Sequence, residues 1–118
     1  MRKTEAAWLA GIVEGDGSLN INQNAKKHKR QYLQIEVDMS GADSKDVIER
    51  VAVLFGVKMG GPYGPYAVAF SKKPRYRAAV CGRAALRVLR AIYPWLGERR
   101  RAQSKDILGR LTSISQSA

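Results

Sequence analysis

The chain has 118 residues, with 21 Lys and Arg against 10 Asp and Glu and a formal net charge of +11. A chain of this length can bury a sizeable core as one domain without covalent cross-links. One cysteine, Cys81, excludes an internal disulfide, and one cysteine with one histidine, His28, cannot complete a four-ligand zinc site. No apolar run approaches the roughly 20 residues of a membrane span, and the start of the chain does not resemble a signal peptide. We therefore expect a soluble, intracellular protein that does not bind a membrane.

The positive charge is concentrated in the last third of the chain. Residues 71–110 carry twelve basic and two acidic groups, whereas residues 31–70 carry three basic and five acidic groups. Such an asymmetry is typical of proteins that neutralise the phosphates of nucleic acids. A basic face kept for solubility, or an RNA-packing role like that of a small ribosomal protein, are the alternatives.

The first predicted helix covers about residues 5–15, with Thr4 as its N-cap. Within it, small residues recur at every fourth position and therefore share one face. Glycine costs a helix interior up to about 1 kcal/mol relative to alanine, so this face suggests close approach of another helix, within the monomer or from a second subunit. The small residues of this face are Ala7, Gly11 and Gly15.

After the acidic turn Gly15-Asp16-Gly17, apolar and polar residues alternate over about 18–22 and 32–39. This period of two predicts a hairpin of two half-buried strands. Asparagine and glutamine can pair with the edge of adenine, and a two-stranded ribbon fits the major groove of DNA, although an ordinary solvated sheet face is the alternative. The residues expected on the outward face are Ser18, Asn20, Asn22, Tyr32, Gln34 and Glu36, and those expected at the mostly basic hairpin tip are Asn24, Lys26, Lys27, Lys29 and Arg30.

The second half of the chain predicts the same order of elements. A helix over about 44–55 ends at Gly56, and a second hairpin pairs residues 57–59 with residues 66–71. A helix over about 76–92 follows, with Cys81 as core filler and three arginines on one side; Pro94 breaks the chain before a last helix over about 98–110. We treat residues 1–111 as one domain and the polar residues 112–118 as a flexible tail.

This order predicts an α+β fold in which a four-stranded antiparallel sheet carries helices on one face and leaves the other face free. Residues 9–17, Leu-Ala-Gly-Ile-Val-Glu-Gly-Asp-Gly, resemble the LAGLIDADG motif of homing endonucleases. The resemblance extends over about residues 4–110 through the order αββαββα, to which this chain adds a C-terminal helix. It implies the saddle-like sheet and the site-specific DNA endonuclease activity of that family.

Only one copy of the motif is present, and single-motif members of the family act as homodimers whose motif helices pack together. The resemblance thus implies that the Ala7, Gly11 and Gly15 face is the subunit contact and that the DNA site is a palindrome or near-palindrome. It implies that Asp16 of each subunit, with the Gly15 carbonyl nearby, binds Mg²⁺, for which Mn²⁺ would substitute. Each subunit would then hydrolyse one strand, giving a double-strand break.

The resemblance also assigns two further catalytic positions. The family's lysine corresponds to Arg99, and its glutamine corresponds to Ser40; both are departures from the pattern, since arginine cannot readily carry a proton and serine is shorter. Glu14 points about 200° away from Asp16 around the helix, so we interpret it as a structural or interface residue. Further basic residues expected to bind DNA are Lys72, Lys73, Arg100, Arg101 and Lys105; for the last three, solvated surface charges are the alternative.

Two other functions fit the same fold and basic surface. A maturase would bind its host intron RNA, and a DNA-binding regulator would have no need of Asp16. The intact Gly15-Asp16-Gly17 turn favours the enzyme. The expected location is the cytoplasm or nucleoid of a bacterial or phage-infected cell, or an organelle, and the gene could be associated with an intron or an intein.

Overall fold

A computed structural model describes residues 1–23, 31–63 and 73–117, with side chains as far as Thr112. Four helices and four strands make up these ranges, with a short 3-10 turn before the last helix. Among the described residues, no helix combines the length and the apolar character that crossing a membrane requires. The elements are α1 (Lys3–Asp16), β1 (Gly17–Gln23), β2 (Gln31–Ser40), α2 (Ser44–Phe55), β3 (Gly60–Tyr63), β4 (Arg75–Cys81), α3 (Gly82–Ile92) and α4 (Glu98–Ser117).

The four strands form one antiparallel sheet in the order β1-β2-β4-β3. The two hairpins therefore meet through their second strands, and β1 and β3 are the sheet edges. This arrangement confirms the predicted α+β fold with the order αββαββα and an additional C-terminal helix.

Alternation along the strands decides which sheet face carries the core. Leu33, Ile35 and Val37 of β2 are fully buried, and Tyr76, Ala78 and Val80 of β4 are buried beside them. The core continues into the helices through Leu9 and Val13 of α1, Ile48 and Val51 of α2, and Val88 and Leu89 of α3. One face of the sheet is thus covered by helices, and the side chains of the intervening positions point to the opposite face.

The second helix has the predicted bounds and end. Ser44–Phe55 is helical, with Ile48, Val51 and Phe55 in the core. Gly56 follows in the left-handed conformation, with φ of 74°, and its N–H donates to carbonyls of the last turn. Glycine adopts this conformation without steric penalty, which explains why the helix ends there.

The second hairpin and the third helix differ from the prediction. Arg75–Cys81 is a strand rather than the start of a helix, and α3 begins only at Gly82. Cys81 is therefore exposed at a strand end instead of filling the core. The preceding strand is Gly60–Tyr63 rather than residues 57–59, while the predicted strand over residues 66–71 lies outside the described residues.

The ends of the first and last helices also differ from the prediction. α1 begins at Lys3, and its N-terminus is capped by Glu5, whose Oε1 accepts a hydrogen bond of 2.8 Å from the backbone N–H of Arg2. That bond keeps the pKa of Glu5 below its usual value, so its contribution to stability is lost as the pH falls through the lowered pKa. Thr4 is not the N-cap. α4 extends to Ser117, beyond the predicted end near residue 110.

Candidate functional site

Asp16 is the last residue of α1, and its side chain is exposed. It makes no hydrogen bond or ion pair with any residue that the structure describes. A carboxylate at this end of a helix faces the negative end of the helix dipole, and the last turn of α1 contains no basic residue to offset it. Helix stability therefore does not explain an aspartate at this position, whereas binding of a cation would.

At its two glycines, the small-residue face of α1 has no partner within the described part of the monomer. Gly11 and Gly15 are exposed, and a Cβ added at either would meet no other described atom within 4 Å. Ala7, one turn earlier, is half-buried. Close packing within the monomer therefore does not explain the two glycines. They form a bare strip, a part of the α1 surface that no described residue covers, which runs along the helix to Asp16.

The backbone that follows Asp16 is held on two sides. The N–H of Gly17 donates to the carbonyl of Val13, and the carbonyl of Gly17 accepts a hydrogen bond of 2.6 Å from Nη2 of Arg100. A Cβ at Gly17 would lie 2.7 Å from Cα of Val13, so a larger residue cannot take this path without shifting the helix end. The turn from α1 into β1 is thus fixed by contacts of its backbone.

Glu14 joins the end of α1 to the start of α4. Its Oε1 accepts a hydrogen bond of 2.7 Å from the backbone N–H of Gly97, the residue before α4. A negative charge at a helix N-terminus is favoured by the helix dipole and by the unpaired N–H groups there. This contact gives Glu14 a structural role, as its position around the helix predicted.

Removing the Glu14 carboxylate should therefore destabilise the protein. We expect Glu14→Ala to lower the free energy of unfolding by about 1–2 kcal/mol, the scale of a lost charged cap. Glu14→Gln, which keeps an acceptor oxygen, should lose less. Urea denaturation measures both, with Glu49→Ala as a control because Glu49 lies on the surface 3.9 Å from Lys45. Equal stability of Glu14→Ala and the unchanged protein would contradict this role.

The polar residues predicted for one sheet face do share that face. In the antiparallel register, Ser18 lies opposite Glu36, Asn20 opposite Gln34, and Asn22 opposite Tyr32. Because side chains directly opposite one another in a sheet point to the same side, these six form a continuous polar surface away from the helices. None of the six is in the buried core.

Two arginines of β4 extend this polar face, and the sequence prediction missed them. Arg77 forms an ion pair with Glu36, with Nε 2.9 Å from Oε1, and its Nη2 donates a hydrogen bond of 3.2 Å to Oε2 of the same residue. Arg75 forms an ion pair with Asp38 at 3.2 Å. The negative charges of Glu36 and Asp38 on this face are thereby neutralised. Alternation of Tyr76, Ala78 and Val80 with these arginines was the sequence signal, but alanine-rich segments also suit helices, which obscured it.

The remaining predicted site residues fall into three groups. Arg99 and Ser40 are exposed and lie toward the same end of the sheet as Asp16, since Gly17 pairs with Val37 and the first turn of α4 contacts Gly17. The prediction that Arg100 contacts a DNA phosphate is corrected by the structure. Its side chain is only 8% exposed and donates a hydrogen bond to the backbone carbonyl of Gly17, so it is not free to bind a phosphate. Of the others, Lys73, Arg101 and Lys105 are exposed, and Asn24, Lys26, Lys27, Lys29, Arg30 and Lys72 lie outside the described residues.

The donors around Asp16 are oxygens. A carboxylate and the carbonyls of a helix C-terminus, which lack partners within the helix, are the hard ligands that Mg²⁺ prefers, completed by water and substrate phosphate. The described residues of one chain contain no group of three or more His, Cys, Asp or Glu side chains that could hold a metal ion. One chain thus offers one carboxylate with adjacent backbone oxygens.

The fold is similar to that of solved homing endonucleases. The homing endonuclease I-CvuI in complex with its DNA target in the presence of Ca superposes with a TM-score of 0.71 and 19% identity, covering 98% of this chain and 70% of that one. The chain therefore has the homing-endonuclease fold. A second I-CvuI complex, with the I-CreI target and Mg and with uncleaved DNA, gives 0.68 and 21% over 93% and 67% of the two chains.

The homing endonuclease I-TnaI gives a TM-score of 0.63 at 14% identity, covering 99% of this chain and 76% of that one. No protein-family model and no curated protein sequence matches the chain. At these identities the superpositions establish the fold alone.

Proposed function

We propose that this chain is one subunit of a homodimeric, Mg²⁺-dependent DNA endonuclease of the LAGLIDADG type, which cleaves both strands of a palindromic or near-palindromic site. The observation that carries the proposal is Asp16: an exposed carboxylate without a partner among the described residues, at the end of a bare helix face. The fold shared with DNA-bound homing endonucleases supports it.

The proposed dimer uses the strip of α1 formed by Ala7, Gly11 and Gly15. Small residues permit close packing of two helix backbones, and the described monomer places nothing against the two glycines. A two-fold axis along this strip makes the contact isologous, because the same strip is used by both copies. It also brings the two Asp16 residues toward each other, since each ends its own α1.

The proposed DNA contact is the polar sheet face. Asn20, Asn22 and Gln34 supply the amide groups suited to paired hydrogen bonds with base edges. Arg75 and Arg77 neutralise the carboxylates of Asp38 and Glu36 on this face, which would otherwise repel phosphates, and the chain's charge of +11 attracts the duplex from a distance. With two subunits, the faces would read two half-sites related by the same two-fold axis.

Each subunit would contribute four groups to hydrolysis. Asp16 and the Gly15 carbonyl would hold Mg²⁺, which when bound lowers the pKa of a water and neutralises charge on the phosphate. Arg99, exposed in the first turn of α4, would bind phosphate oxygens as a permanent cation. Ser40, exposed at the end of β2, would orient water by hydrogen bonding.

The test incubates the purified protein with Mg²⁺ and a duplex that carries the uninterrupted version of its own gene's flanking sequence, with EDTA as control. Breaks at one position in both strands, absent with EDTA, are the expected result. DNA binding without breaks would favour a regulator, and binding of the intron RNA without breaks would favour a maturase. Either outcome overturns the proposed nuclease.

A further inference from the structure

Arg100 is a buried cation that the proposed function does not use. Its Nη2 donates to the carbonyl of Gly17 at 2.6 Å, and its Nη1 donates to Oε1 of Gln103 at 2.9 Å. Gln103 in turn donates to the carbonyl of Leu19 at 3.4 Å. The Nε of Arg100 is buried and has no hydrogen-bond partner among the described atoms.

Placing a guanidinium at this buried position is unfavourable in free energy. Burying a charge without an opposite charge is strongly unfavourable, and no ion pair to Arg100 exists among the described residues. A neutral donor such as glutamine would satisfy a carbonyl of an edge strand at lower cost. Fold stability alone therefore does not account for arginine at this position.

The surroundings of Asp16 supply a reason. Glu14, two residues before it, accepts a hydrogen bond from Gly97, and Gly17, directly after it, accepts one from Arg100. Both contacts connect the end of α1 with the start of α4, so they hold the backbone on either side of Asp16. The side chain of Asp16 itself has no partner among the described residues.

We infer that Arg100 is a positioning residue for the divalent cation: with Glu14 it fixes the backbone that carries Asp16. This inference rests on the proposed function. A displacement of about 1 Å at a catalytic group can reduce a rate about a hundredfold, so an anchor beside the carboxylate proposed to bind the metal has a large effect on catalysis.

The experiment compares Arg100→Gln, Arg100→Lys and Gln103→Leu with Arg110→Gln, a control that removes one exposed charge from the same helix. Mn²⁺ affinity of the protein–DNA complex is measured by electron paramagnetic resonance, together with DNA affinity, urea stability and the Mg²⁺ dependence of cleavage. We expect Arg100→Gln to weaken Mn²⁺ binding about 10- to 100-fold, the scale of residues that orient metal ligands. DNA affinity should change little, Arg100→Lys should be intermediate, and Arg110→Gln should match the unchanged protein.

Unchanged Mn²⁺ affinity in folded Arg100→Gln would overturn the inference. If that variant does not fold, Gln103→Leu decides, because it removes the support of Nη1 and keeps the guanidinium; unchanged Mn²⁺ affinity there overturns the inference equally. Asp16→Asn, measured in parallel, separates the two proposals. Loss of Mn²⁺ binding in Asp16→Asn but not in Arg100→Gln would reject only the positioning role, whereas retention in Asp16→Asn would reject the metal site of the proposed function.

Discussion

Asp16→Asn should abolish DNA cleavage and leave DNA binding nearly unchanged. The substitution keeps the size of the side chain but removes the single carboxylate that each subunit would offer to the cation. We expect the cleavage rate to fall by at least about a hundredfold, since changes around a bound metal already cost that much when they only affect ligand orientation. Binding should be retained or slightly tighter, because one negative charge is removed near the phosphates.

The measurement pairs a gel assay of cleavage in Mg²⁺ with a titration of DNA binding in Ca²⁺. Asp106→Asn is the matched control, because Asp106 is exposed on α4 and pairs only with Arg110 among the described residues. This control should cleave at the normal rate. Cleavage by Asp16→Asn at the rate of the control would remove Asp16 from the mechanism.

Gly11→Leu should convert the dimer into a monomer and thereby eliminate cleavage. A Cβ at Gly11 meets no described atom within 4 Å, so the folded monomer can accept the larger side chain. Leucine is also a better helix former than glycine by up to about 1 kcal/mol, so the free energy of unfolding of the monomer should not decrease. Between two closely packed helix backbones, in contrast, the same side chain leaves no room for the partner.

Gly109→Leu is the matched control for this experiment. Gly109 lies in α4, is exposed, and also has no described atom within 4 Å of a Cβ. Sedimentation equilibrium, with and without the duplex, should show a monomer for Gly11→Leu and a dimer for Gly109→Leu. A Gly11→Leu dimer that still cleaves, or an unchanged protein that sediments as a monomer on its cognate duplex, would contradict the proposed assembly.

Sequence patterns predicted the parts of the fold in which the local signal and the tertiary structure agree. The clear alternation in β2 and the apolar stripe of α2 ending at Gly56 gave the correct elements. The prediction of β4 failed for two reasons. Its inward positions include Ala78, whose small side chain gives a weak strand signal, and Arg and Ala are good helix formers. The start of α3 at Gly82, where φ is +68°, is set by this sheet rather than by the helix itself.

The candidate site also contains residues that local sequence patterns predict and residues whose role only the tertiary structure reveals. Asp16 and the polar sheet positions follow from a motif and from alternation, both of which can be read along the chain. Arg100 stands between Arg99 and Arg101, and nothing in three consecutive arginines shows that only the middle one is buried. That difference arises because α4 packs beside the edge of β1, a contact between residues 83 positions apart.

The alternation of β1 and β2 also separates the stability of the fold from the surface offered to a ligand, two properties that mutation usually changes together. Residues at odd positions, such as Leu33 and Ile35, maintain the core, while residues at even positions, such as Asn20 and Gln34, form the outer face. Substitutions at even positions can therefore alter the surface offered to a ligand without opening cavities in the interior. A scaffold of this kind can drift from one target sequence to another while its stability stays constant, and it can be re-engineered by the same route.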